Sequence, residues 1–218
     1  HDNTIDRTTN GTGDVESMTL AELKSFDAGY RFTNDDGATY PFRGKGVTIP
    51  ALEEVFTAFP GKHMTIEIKN STTPIIVPFC EMIRKHSMQN FIVVASFRDD
   101  NIKAFRKECP EVATSSAKTE TTVYLLLSKT GLTGFYSPDF YSLQVPMQAS
   151  GLDVTTKRFV KRAHDRNLAV EPWTINDEET MRLLIEWQVD GIMTDRPDLL
   201  RKILDEKSND NRYELHSN

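Results

Sequence analysis

Long hydrophobic runs are what this 218-residue sequence most plainly lacks: its longest, residues 75–77 and 91–95, fall far short of the roughly 20 residues a bilayer-spanning helix needs. No transmembrane helix is expected. Concentrated basic charge is also missing. The 26 Lys and Arg residues are outnumbered by 32 Asp and Glu, leaving a formal charge of -6 with no dense basic stripe, which argues against nucleic acid as the main partner. Cysteine is reduced to Cys80 and Cys109, both in segments that read as helical, with no Cys-x-x-Cys or Cys/His cluster of the kind structural zinc requires. Two buried thiols are the expectation and a single disulfide the alternative, so the compartment stays open. No Gly-x-Gly-x-x-Gly follows a strand-like segment, which removes the usual argument for a dinucleotide fold. Methionine is absent from position 1, and a start on His1 implies that translation began upstream, where any signal peptide or anchor would lie.

What the sequence does have is alternation. From residue 60 onward, short apolar runs of strand character alternate with amphipathic stretches carrying helix caps, the pattern of repeated β-α units. Strands are expected at 64–69, 91–97, 112–115, 142–147, 169–175 and 191–195. Thr73-Pro74 reads as a cap and first residue of a helix, and Asn176 with Glu179 as a capping-box-like pair. In the first strand Thr65, Glu67 and Lys69 occupy one face, while Met64, Ile66 and Ile68 occupy the other. A strand of an open sheet, buried on both faces, rarely carries such charge. The inside of a barrel does at its C-terminal mouth, where active sites of that architecture lie, and Ser96, Trp173, Asn176 and Asp195 mark later strand ends. The fold class expected is α/β, a TIM (β/α)8 barrel with about six of its eight β-α units present; two strands and roughly 40 residues are wanting.

A chain of this length can bury roughly 70 to 75 % of its unfolded surface, enough for one large domain. We read residues 1–206 as one barrel domain, with an inserted lobe at about 14–60 and a polar, fraying tail at 207–218. Within the lobe, Thr19-Leu20-Ala21-Glu22 is a capping box opening a short helix to Asp27, Asp35-Asp36-Gly37 is a turn, and residues 50–59 form a second short helix. Arg43-Gly44-Lys45-Gly46 lacks the strand-loop-helix context of a phosphate loop and reads as a structured turn. Phe135, Tyr136, Phe140 and Tyr141 read as core packing, with a pocket wall or a lipid contact as the alternative. His63, His86 and His164 read as structural or solvated, and Asp99-Asp100 as a helix start.

Two places carry chemistry. Glu67 could hold a hard cation and Lys69, two residues on, could neutralise a phosphate oxygen, although an ion pair inside the barrel explains both equally well. His1 could pass a proton near neutral pH, yet a lone histidine is more often a hydrogen-bonded loop residue.

The strings around them decide. His1-Asp2, Ile5-Asp6-Arg7-Thr8-Thr9, Gly11-Thr12-Gly13, Thr19-Leu20-Ala21-Glu22-Leu23, Asp27-Ala28-Gly29, Ile49-Pro50 and Leu52-Glu53-Glu54 closely resemble the glycerophosphodiester phosphodiesterase family. Ile66-Glu67-Ile68-Lys69, Ser96-Phe97, Trp173-Thr174-Ile175-Asn176 and Asp190-Gly191-Ile192-Met193-Thr194-Asp195-Arg196-Pro197 continue the match in order, to about residue 200. The resemblance implies a (β/α)8 barrel with a small insertion, hydrolysing a glycerophosphodiester, a small-molecule substrate of lipid and glycerol metabolism, to sn-glycerol 3-phosphate and an alcohol. It also implies roles. His1 would be one of two acid/base histidines, Glu67 a ligand of one divalent cation (Ca²⁺ or Mg²⁺), Lys69 a contact to the phosphate, and Trp173 an aromatic lining the substrate pocket. The family's other histidine, in His-Arg-Gly, and its Glu-x-Asp metal pair match nothing here. Activity is therefore expected of a longer parent and little turnover of these residues alone. Lysophospholipids cleaved in a phospholipase D manner are the runner-up substrates, and a barrel that binds without catalysing is the rival of another class.

Overall fold

The structure, a computed structural model, describes residues 1–69 and 74–216, the last eight as helix backbone only. Its centre is an arc of parallel staves. β1 (Met64–Glu67), β2 (Ile92–Ala95) and β3 (Ala113–Thr114) pair in parallel, with Met64 opposite Ile92 and Val93 opposite Ala113. An isolated bridge from Ser115 to Ser142 leads to β4 (Ser142–Leu143). After it an antiparallel hairpin, β5 (Gln148–Ala149) and β6 (Leu152–Asp153), intervenes, and β7 (Ala169–Val170) then pairs in parallel with β4.

The ladder outlasts the regular strands. Glu171 and Trp173 donate their backbone N–H to the carbonyls of Leu143 and Val145 at 3.0 and 3.1 Å, and Met193 donates to Pro172 at 2.9 Å. Five of the six expected staves thus form strands, shorter than their apolar patterns suggested. The sixth, 191–195, lies alongside as extended chain and not as a strand, because Pro172 opposite it has no N–H to give. The arc curls, since the Gln144 amide reaches Thr65 of β1 at 3.4 Å, yet it does not close into a barrel.

Helices cover the outside: α3 (Ile76–Lys85), α4 (Asp99–Glu108), α5 (Lys118–Thr130), α6 (Lys157–His164), α7 (Glu178–Glu186) and α8 (Pro197–His216), preceded by α1 (Leu20–Ser25) and α2 (Leu52–Ala58) of the lobe. Their caps are legible chemistry. The Thr156 hydroxyl accepts from the N–H of Phe159 at 3.1 Å, and Gly131 closes α5 in the left-handed region, φ 84°, which a side chain would disfavour. The expected cap on Asn176 is displaced by one residue, since Asp177 accepts from the N–H of Thr180 at 2.8 Å. Pro74 likewise precedes a helix that starts at Ile76, and Thr73 lies outside the described residues. Residues 207–216 continue α8. No helix among the described residues is long and apolar enough to cross a membrane.

Two main cores form between staves and helices. In the first, Ile68, Ile92 and Val94 meet Phe79, Ile83 and Phe105; in the second, Leu143, Val145 and Val170 meet Tyr124, Phe159 and Val160. Each such side chain contributes about 1.5–3 kcal/mol when fully buried. Cys80 of α3 and Cys109 at the end of α4 are both fully buried, and they are joined by a disulfide across Cα atoms 5.8 Å apart. That corrects the expectation of two thiols: packing of α3 on α4 brings together residues whose separation of 29 in sequence says nothing of distance. Of the four aromatics expected in the core, Phe140 is buried and Tyr136 packs beside it, but Tyr141 is exposed and Phe135 is 90 % exposed.

Candidate active site

The C-terminal mouth of the arc gathers three of the four residues singled out in the sequence. Alternation along β1 sends Ile68 into the core and turns Glu67 and Lys69 the other way, where their side chains pair at 2.6 Å. The end of β1 is tied to the end of β2 by buried Ser96. Its hydroxyl donates to the carbonyl of Ile68 at 2.7 Å and accepts from the Arg98 N–H at 3.2 Å. The Asn101 amide donates to Ser96 Oγ and to the Lys69 carbonyl, each at 3.2 Å. These bonds fix the backbone that presents Glu67 and Lys69.

His1 reaches the same cleft on a loop with its own supports. Buried Ile5 bonds through its N–H to the Gly13 carbonyl at 3.0 Å, Val15 donates to the Asn3 carbonyl at 2.9 Å, and the Asp6 carboxylate accepts from the Gly13 N–H at 2.8 Å. Much of the Asp-Arg-Thr-Thr string is therefore loop architecture. The imidazole Nδ1 lies 3.2 Å from Asp2 Oδ1, and Arg7 grips the same carboxylate with Nε at 2.6 Å and a terminal nitrogen at 3.3 Å. The Arg7 hydrogen bond holds the Asp2 carboxyl below its ordinary value, with smaller help from charges that include Lys69. Asp2 in turn raises Arg7, and Asp195 adds to the effect.

The cleft holds about 430 Å³ and is lined by His1, Asp2, Asn3, Glu67, Lys69 and Phe97, with Ile68, Ser96 and Arg98 completing its wall. That is within the size range of small-molecule sites. Trp173 does not line it directly. It stands against Phe97 edge-to-face, ring centroids 5.7 Å apart, while Lys69 Nζ sits 6.0 Å from the Phe97 ring centroid. Asn176 and Asp195 brace the last stave: the Asn176 amide donates to Asp195 at 2.9 Å and its carbonyl oxygen accepts from the Asp195 N–H at 2.9 Å.

Sequence reasoning passed over Asp2, Arg7 and Asn101. The first two sat inside strings read as family markers, and nothing local distinguishes Asn101. Of the side chains set aside as structural, His164 bonds to Asp190 at 2.9 Å, His63 and His86 pack beside Phe91 and Phe56, and Arg43 stacks against Tyr30 and Tyr40 at 4.3 and 3.7 Å. Asp99 opens α4, and residues 35–37 turn with positive φ at Asp36 and Gly37.

A lysine, a histidine and a carboxylate around one opening suit an anionic substrate that must gain or lose a proton. They do not complete a metal site. Ca²⁺ and Mg²⁺ want six or more oxygens, and Glu67 offers one carboxylate that is paired with Lys69, while Asp2 is taken by Arg7. The only group of three close metal-ligating side chains among the described residues includes Cys80 and Cys109, whose sulfurs are bonded to each other.

Comparison with known proteins finds one family. The model of the glycerophosphoryl diester phosphodiesterase family matches residues 1–199. A glycerophosphodiester phosphodiesterase of Bacillus subtilis (strain 168) is 30% identical over 224 residues, covering 93% of this chain and 70% of that protein. The human lysophospholipase D GDPD1 is more distant, 23% identical over 74% of this chain and 58% of its own length. Among solved structures, the glycerophosphoryl diester phosphodiesterase domain of a Mycobacterium tuberculosis protein superposes with a TM-score of 0.76 at 16% identity, over 93% of this chain and 80% of that one. An Oleispira antarctica phosphodiesterase in complex with the product sn-glycerol-3-phosphate gives 0.68 at 25% identity, over 94% of this chain and 78% of that one.

Proposed function

Because the chain belongs to the glycerophosphoryl diester phosphodiesterase family, and is thereby a phosphoric diester hydrolase, we propose that the cleft between His1 and Lys69 is where a glycerophosphodiester is cut to sn-glycerol 3-phosphate and an alcohol. The observation that carries this reading is the convergence of His1, Glu67 and Lys69 on one opening from two separate segments of the chain. A phosphodiester carries a negative charge that repels nucleophiles. Lys69 offsets charge on the non-bridging oxygens, water adds to phosphorus as it gives up a proton to the second histidine that the resemblance implies in a longer parent, the bond to the leaving oxygen breaks, and His1 protonates the alkoxide. Phe97, backed by Trp173, offers an apolar wall to the glycerol or alcohol part.

Glu67 is the ligand this chain would contribute to a divalent cation, Ca²⁺ or Mg²⁺. The resemblance assigns the other ligands and a second histidine to strings that are not among these residues. We therefore assign turnover to a parent chain that carries them, and weak cation binding with little turnover to residues 1–218 alone. The lysophospholipid alternative needs an acyl groove, and none of Phe135, Tyr136, Phe140 and Tyr141 lines the cleft. The non-catalytic alternative gains weight only if no such parent exists.

The test is release of glycerol 3-phosphate from glycerophosphocholine by the parent chain, its His1→Asn, Glu67→Gln and Lys69→Met variants, and residues 1–218. Loss of a general acid or of a phosphate contact lowers kcat/KM by about 10²-fold or more. A Lys69→Met enzyme as fast as the native one removes Lys69 from the reaction. Brisk turnover by residues 1–218 overturns the division between parent and fragment.

A further inference from the structure

Arg7 is exposed, and an exposed ion pair contributes little to stability. The loop that carries it does not need it, since Ile5, Gly13, Asp6 and Val15 already close that loop through their own hydrogen bonds. Its geometry is nevertheless specific. Two nitrogens of one guanidinium take both oxygens of Asp2, leaving Oδ1 toward the imidazole Nδ1 of His1.

Resting on the hydrolase reading above, we propose that Arg7 is a positioning residue for the reaction: it clamps Asp2, and Asp2 fixes the orientation and tautomer of His1. An imidazole whose Nδ1–H donates to a carboxylate keeps Nε2 as the nitrogen that exchanges the reacting proton. Without the clamp Asp2 can rotate about its side-chain bonds. The cleft then offers it a competing partner in Lys69, whose charge already reaches Asp2. A swing toward Lys69 would release His1 and occupy the phosphate contact in one movement. Arg7 prevents both, and the Asp195 carboxylate also favours its charge. Lysine at this position would keep the charge and lose the two-point grip.

The experiment compares Arg7→Gln, Arg7→Lys, Asp2→Asn and the Arg7→Gln/Asp2→Asn double variant in the parent chain, after thermal midpoints show that each is folded. Arg7→Gln is expected to lower kcat about tenfold with KM within about twofold, since an orienting group acts on the proton-transfer step and not on binding. Arg7→Lys falls between native and Arg7→Gln. The double variant is no slower than Asp2→Asn, because Arg7 acts through Asp2. A rise in KM with kcat unchanged, or losses that multiply in the double variant, overturns the proposal. A second readout needs no turnover: ¹⁵N shifts of the His1 ring in residues 1–218 above the imidazole pKa are expected to report the Nδ1–H form natively and a shift toward Nε2–H in Arg7→Gln. An unchanged tautomer also overturns it. If the native parent cuts no glycerophosphodiester, the hydrolase reading fails and the catalytic role with it, and the tautomer alone judges the clamp on His1.

Discussion

The lobe of residues 14–60 and the staves and helices that follow it are held by different physics. In the lobe only Gly29 and Phe56 are buried, and order comes from polar turns: Asp27 accepts from the N–H groups of Gly29 and Gly44 at 2.9 and 2.8 Å, and Asp35 accepts from Thr39 N–H and hydroxyl at 2.8 and 2.7 Å. From β1 onward each of the helices α3 to α8 contributes a fully buried apolar side chain to one of the cores, as do β2, β4 and β7, and a covalent bridge ties α3 to α4. Polar turns are satisfied locally and transmit little, whereas buried side chains are shared among elements and fail together. The lobe should therefore open without the rest, and the rest should unfold as one.

Phe56 is the place to break that contrast. It belongs to the lobe helix α2 yet is 1 % exposed inside the first core, whereas Phe42 of the same lobe is 46 % exposed against Phe32. Phe56→Ala is expected to lower global stability by about 3–5 kcal/mol in denaturant melts, and Phe42→Ala by about 1 kcal/mol or less. Equal losses would mean that the lobe is not a separate unit. The second test acts only beyond the lobe. Replacing Cys80 and Cys109 by alanine opens a loop of roughly 29 residues and should cost about 3–4 kcal/mol, with amide exchange in α1 unchanged.

The same division explains what was legible in the sequence. Residues 64–69, 91–97 and 169–175 announce staves because burial on one side forces period-two alternation, and the capping box at Thr19 announces α1 because its bonds join near neighbours. What required three dimensions stayed hidden. The disulfide depends on how α3 packs on α4, and the Asn101 bonds to Ser96 and Lys69 span 5 and 32 residues. Of the site, His1, Glu67 and Lys69 could be named from strings and strand faces. The Asp2–Arg7 clamp could not, because a side chain in a familiar string looks the same whether it marks a loop or holds a neighbour.

Extremes of pH should separate the two regions from opposite sides. Bonds from Thr19 hold the Glu22 carboxyl below its ordinary value, and bonds from Thr39 do the same for Asp35. A lowered native pKa stabilises above the unfolded value and is lost as pH falls through the native one, so the lobe should loosen as pH falls below about 4. Tyr124, fully buried in the second core with its hydroxyl donating to the Arg162 carbonyl at 2.9 Å, is pushed by burial up to about 12. Stability tied to a raised pKa is complete below the unfolded value and drains away as pH rises toward the native one, here from about 10 upward. Amide exchange in the lobe should respond to acid, and tyrosine absorbance with loss of core structure should respond to alkali. A lobe and a core that melt together in acid would contradict this.

The smallest expected effect is the most exacting. Thr19 caps α1 by accepting from the Glu22 N–H at 3.2 Å, while the Glu22 carboxylate takes the Thr19 N–H at 2.7 Å. Thr19→Ala removes one half of that exchange and should cost about 1 kcal/mol. Because α1 buries no residue, the loss falls on local opening: amide exchange at Leu23 and Lys24 should quicken about fivefold while the denaturation midpoint stays in place. If the midpoint moves by the full amount, lobe opening and global unfolding are the same event, and polar turns alone hold the lobe as firmly as shared apolar packing holds the rest.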